Sequence, residues 1–157
     1  MKKINIILIL LTMLIVPSVT FGNVIDKLNE AGKFIKLNET LTKSGLDENL
    51  KGKGPFTVFA PLDDAFAAIS AKTYYGLLRE DNKDNLINIL GRHVFPKKIT
   101  SSDVGSEMKL KAINGEEVTI KKVNGIVYIN EAEVVTADIQ VSNGIIHFIN
   151  RVLQPLN

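Results

Sequence analysis

Two histidines, His93 and His147, are the side chains of this chain best suited to moving a proton near neutral pH. Neither stands beside a serine or carboxylate at a spacing that marks a catalytic base. His93 closes a helical pattern and opens a strand pattern, so its imidazole is read as satisfying backbone groups at that corner. His147 shares the face of the last predicted strand with Ile145 and Ile149, again a structural setting. Ser142 directly precedes Asn143-Gly144 and reads as turn chemistry, and no G-x-S-x-G elbow occurs. In Asp81-Asn82-Lys83-Asp84-Asn85 a calcium loop fails: Lys83 holds a ligand position, Leu86 replaces the tight-turn glycine, and the closing glutamate is missing. Gly52-Lys53-Gly54 is far short of a phosphate-cradling loop. Asn38-Glu39-Thr40 fits the N-glycosylation pattern but falls within a predicted helix. The chain has no Cys, which removes thiol nucleophiles, Cys-ligated zinc and Fe–S clusters. The expectation is no catalytic set, no metal site and no cofactor.

The elements that must position these residues fall into a helical half and a strand-rich half. Asn23 caps a helix in which Val24, Ile25, Leu28, Ala31, Phe34 or Ile35, Leu37 and Leu41 recur at helical spacing, and Gly45 stops it. Leu46–Leu50 adds a short turn before the polar, breaker-rich loop 51–55. A strand at 56–60 ends at Pro61, and Asp63 or Asp64 starts a helix carrying Phe66, Ala67 and Ile69. Further helices are predicted at 74–78 and 84–90, the second burying Leu86, Ile87, Ile89 and Leu90. From residue 93 the pattern becomes strands, punctuated by Asn114-Gly115, Asn124-Gly125 and Asn143-Gly144, the strongest short hairpin signal. Val118 and Ile120 point inward, and Lys121 and Lys122 read as a solvated strand edge. This is one α+β unit.

Residues 1–22 have the parts of an export signal. Lys2 and Lys3 precede an apolar run from Ile4 to Val16, and Thr20 and Gly22 are small enough for a cleavage pocket. The run is too short for a membrane span of about 20 apolar residues. Cleavage leaves 23–157 as a single domain of a natural size to bury a core without staples. It also leaves 17 basic side chains of the original 19 against 17 acidic ones. That neutral balance gives no nucleic-acid footprint. The predicted location is secreted, periplasmic or at the cell surface, with no span after cleavage.

The stretch Phe56-Thr57-Val58-Phe59-Ala60-Pro61-Leu62-Asp63-Asp64-Ala65-Phe66 resembles the first signature of fasciclin domains, and 137–155, from Ala137-Asp138-Ile139 to Gln154-Pro155, resembles the second. Leu90-Gly91-Arg92-His93-Val94 sits where that family has its central histidine motif. The resemblance implies a wedge-shaped β-sandwich with a group of packed helices, and a secreted, non-enzymatic role in adhesion or extracellular binding. The implied partner is an extracellular protein, a polysaccharide or matrix. It also implies candidate contact residues: His93, although Arg92 replaces the tyrosine of the animal motif, and Asp138 with Ile139, an acidic–aliphatic pair of the kind read by integrin-type receptors. The bland readings are that His93 is structural and that Asp138 braces a strand end while Ile139 packs inside. Some soluble relatives carry carotenoids, so carriage of a small apolar ligand is the alternative, with Tyr74, Tyr75, Phe95 and Phe148 as cleft residues.

Overall fold

The computed structural model describes residues 21–154, so the export segment assigned to 1–22 lies, but for Phe21 and Gly22, outside the described residues. Helix α1 (Val24–Ala31) begins with a reciprocal cap: the Asn23 side chain accepts from the Asp26 amide at 3.0 Å, and Asp26 accepts from the Asn23 amide at 2.9 Å. The single helix expected from Asn23 to Gly45 is in fact two. Gly32 turns left-handed (φ 63°) and ends α1, and α2 (Ile35–Ser44) starts afresh. Its first amides, on Ile35 and Lys36, are capped from another element by the Asp63 carboxylate, at 3.2 and 2.9 Å. Apolar spacing runs unbroken across the gap, which is why periodicity alone misses it. Helix α3 is Leu46–Leu50, and β1 follows at Phe56–Pro61. The helix expected after Asp63 is a single turn, α4 (Asp63–Phe66). Then come α5 (Ala71–Leu77), capped by Ser70, a 3-10 turn at Glu80–Asn82, and α6 (Lys83–Gly91).

The strands are β2 (Val94–Phe95), β3 (Glu107–Lys111), β4 (Glu117–Val123), β5 (Ile126–Ile129), β6 (Ala132–Val141) and β7 (Gly144–Ile149). They form one hydrogen-bonded ladder in the order β2-β1-β7-β6-β5-β4-β3, antiparallel except for the parallel pair β1–β7. Strand β6 is long enough to serve both halves, pairing with β5 at its start and with β7 along the rest. Its register slips between Val134 and Thr136 and again between Thr136 and Ile139. Lys121 and Lys122 lie on β4, which β3 and β5 flank, so they are not at a sheet edge as expected.

Side-chain alternation then divides the core in two. Val58, Ala60 and Ile146 face the helices and pack with Val24, Leu28, Phe34, Leu37, Leu41 and Leu50. Phe59 and Ile149, on the opposite face, pack with Phe95, Ile99, Val118, Ile120 and Ile129. Residues from both ends of the ladder thus share one core, as a sandwich requires, with helices covering the other face. This is the mixed α+β arrangement that the sequence predicts. Among the described residues no helix is long and apolar enough to cross a membrane.

Candidate functional site

His93 lies where α6 gives way to β2 and is only 2 % exposed. The Ile89 carbonyl can only accept, so Nδ1 carries the proton and donates to it at 2.8 Å. Nε2 accepts from the Leu153 amide at 2.9 Å. Both nitrogens are spent on backbone, and burial, with a smaller push from Arg92, drives the imidazole pKa down to about 4. His93 is neutral at pH 7 and joins α6 to the segment after β7. It is more deeply enclosed than a corner position suggested.

Arg92 points into the same region and is also 2 % exposed. Its Nε donates to the Glu116 carboxylate at 2.5 Å and its Nη1 to the Leu153 carbonyl at 3.3 Å. Nη2 has no partner among the described residues. The guanidinium holds the Glu116 carboxyl below the usual carboxylate range. Arg92 and His93 therefore both fix Leu153, one at its carbonyl and the other at its amide.

His147 on β7 repeats the pattern on the inter-sheet face. It stacks on Phe59 with ring centres 5.0 Å apart. Nε2 donates to the Ile99 carbonyl at 2.7 Å, and Nδ1 accepts from the Asp138 amide at 3.2 Å. Burial again lowers its pKa. Asp138 sits at the irregular stretch of β6 in a left-handed conformation (φ 62°), which asparagine and aspartate tolerate better than other side chains. Its carboxylate accepts from the Ser101 amide at 2.8 Å and from the Ser101 hydroxyl. Burial opposes its ionisation, but the two Ser101 bonds outweigh that and lower its pKa.

These contacts strap residues 97–103 across the sheet. The Thr57 hydroxyl on β1 donates to the Lys97 carbonyl and accepts from the Ile99 amide at 2.8 Å. Lys122 on β4 reaches the Ser101 carbonyl at 2.6 Å. Sequence spacing gave no hint that Ser101, Asp138 and His147 converge. Their order is nevertheless wrong for acyl transfer: the serine donates to the carboxylate, and both imidazole nitrogens bond backbone, so no proton path runs from Ser101 to His147. What remains open to solvent is the Asp138 side chain, whereas Ile139, the next residue, is half-buried and packs against the helix-side core, as the bland reading expected. Among the described residues no group of three or more His, Cys, Asp or Glu is placed to hold a metal.

The four aromatics expected to line one cleft are dispersed. Tyr74 is buried among the helices, Phe148 packs on Phe34, Phe95 lies in the inter-sheet core, and Tyr75 is exposed. An apolar cavity beside Phe66, Leu86 and Ile89 measures about 210 Å³, below the roughly 300–1,000 Å³ typical of sites for drug-sized ligands. Alternation sends Phe95 and Phe148 to opposite faces of the sheet, so these four side chains do not line one cleft.

The fasciclin domain model matches residues 32–155. The chain belongs to the fasciclin family. A Synechocystis relative, protein sll1483, is 45 % identical over 122 residues, covering 78 % of this chain and 67 % of its own. The pig transforming growth factor-beta-induced protein ig-h3 is 36 % identical over 134 residues, and human periostin 30 % over 132. The match covers 85 % and 83 % of this fasciclin chain, but only 19 % and 16 % of those two proteins. Among solved structures, a FAS1 domain pair from the insect cell adhesion molecule Fasciclin I superposes with a TM-score of 0.77 at 21 % identity, over 87 % of this chain and 52 % of that one. Fasciclin domains thus occur in adhesion proteins, and the fold here is theirs.

Proposed function

We propose that this fasciclin domain is a secreted or surface-held, non-enzymatic binding module that offers the Asp138–Ile139 bulge to an extracellular partner. The observation that carries the reading is the Asp138 carboxylate: exposed, ionised, and fixed by Ser101 and the His147-bonded backbone. A carboxylate already fixed in place loses little freedom on binding. The insect relative named as a cell adhesion molecule supports the same reading. His93 has no direct contact in this scheme and acts by fixing the end of the domain.

Surfaces coated with residues 23–157 should retain cells or matrix material from the producing organism, and Asp138→Asn should lower retention about tenfold with an unchanged circular dichroism spectrum. Equal retention by the variant removes Asp138 from the contact. No retention by either protein counts against the adhesive role itself.

A further inference from the structure

A second concave surface lies elsewhere, at the far end of β6. A cleft of about 730 Å³ opens between the loop 51–55, Lys98 at the edge of the strap, and the β6–β7 turn. Lys51, Lys53 and Lys98 line it, and no aspartate or glutamate does. In a domain with as many acidic as basic side chains, that segregation is local. Lys51 pairs with Glu48 at 2.6 Å outside the lining, whereas Lys53 and Lys98 take part in no ion pair among the described residues.

The floor is rigid. A Cβ on Gly54 would come within 1.9 Å of the Asn143 carbonyl oxygen, and one on Gly144 within 1.9 Å of the Phe56 carbonyl oxygen, so two backbones are in direct contact there. Asn143 locks them from the side. Its amide nitrogen donates to the Leu50 and Gly52 carbonyls at 2.7 and 2.9 Å, and its oxygen accepts from the Val24 amide at 3.0 Å. The lysines therefore project from a preorganised frame, while exposed Pro55 adds apolar wall.

We propose that this cleft binds a segment of an acidic polysaccharide, its carboxylate or sulfate groups held by Lys53 and Lys98 and a sugar face against Pro55. A volume in the range of organic-ligand sites exceeds what one inorganic anion fills. Three lysines and no acidic side chain in one lining suit a ligand that carries several negative charges. This site is separate from the Asp138 bulge, and either can fail alone.

The test measures binding of residues 23–157 to heparin, to a polyuronate and to neutral dextran by titration calorimetry at low salt, with inorganic phosphate as competitor. Heparin or the polyuronate should bind, dextran should not, and affinity should fall as salt rises. Lys53→Ala with Lys98→Ala should weaken binding roughly tenfold, as two exposed ion contacts allow. The control pair Lys109→Ala with Lys121→Ala, on β3 and β4, should not. Equal loss in the control pair, retention in the cleft pair, equal binding of dextran, or full displacement by phosphate at concentrations equivalent to the polymer's own charged groups would each overturn the proposal. Asp138→Asn should leave this binding intact, which separates the site from the bulge.

Discussion

His93 and His147 make the same two bonds in two different places. Each imidazole is neutral, donates once to a carbonyl and accepts once from an amide, and so works as a spacer between backbone segments far apart in sequence. Around His93 everything is buried, including the Arg92 guanidinium and the Leu153 peptide. Around His147 the second bond goes to Asp138, whose own side chain faces water. An identical local chemistry thus closes the domain at one corner and props an exposed carboxylate at the other. The difference lies in the residue at the far end of the bond.

That comparison predicts a ranking. His93→Ala leaves the Ile89 carbonyl and the Leu153 amide buried and unpaired beside a cavity, which should cost about 4 kcal/mol in urea unfolding at pH 7. His147→Ala should cost less, since the Asp138 amide it releases lies on an exposed residue and can turn to water. A reversed order would break the comparison.

Acid should show the same asymmetry. Both imidazoles bind a proton more weakly folded than unfolded, so stability is complete above the ordinary histidine value of about 6.5 and is lost as pH falls below it. For His93 the loss should continue down to about pH 4, at up to about 1.4 kcal/mol per pH unit. Denaturant midpoints from pH 7 to 4 should follow this slope in the native protein and flatten in His93→Ala. A slope carried instead by His147 alone would place the tighter corner at the wrong histidine.

The smallest effect concerns the bulge. Asp138→Ala loses the Ser101 bonds and strains a left-handed backbone, for about 1.5 kcal/mol, whereas Asp138→Gly relieves the strain and should cost roughly half as much. Equal costs would mean that the carboxylate, and not the backbone, sets the bulge.

Local signals were legible in the sequence and distant ones were not. The three Asn-Gly pairs all mark hairpins, yet they do three different things. Asn124 and Gly125 both take positive φ in a two-residue turn, and at Asn114-Gly115 only the glycine does. At Asn143-Gly144 neither does; Gly144 is needed because the Phe56 carbonyl lies against it. That contact belongs to a strand pairing across the whole domain, which no turn signal encodes. The site followed the same rule. Residue types singled out His93 and His147, and the family resemblance singled out Asp138, but Leu153, Ile99 and Ser101 complete them from elsewhere in the chain. Lys98 likewise meets the loop 51–55 only in three dimensions.

The parallel pairing of β1 with β7 bears on how the chain reaches this state at all. It joins the first strand to the last, register by register from Phe56 opposite Gly144 to Pro61 opposite Ile149. Contacts between such distant segments slow folding, because a long loop must close before they yield any gain. A nascent chain cannot complete its sheet until almost all of the domain has been synthesised, and shortening it from the carboxyl end should leave β1 with β2 as its one sheet neighbour. The last strand to be made is therefore the one on which both cores wait.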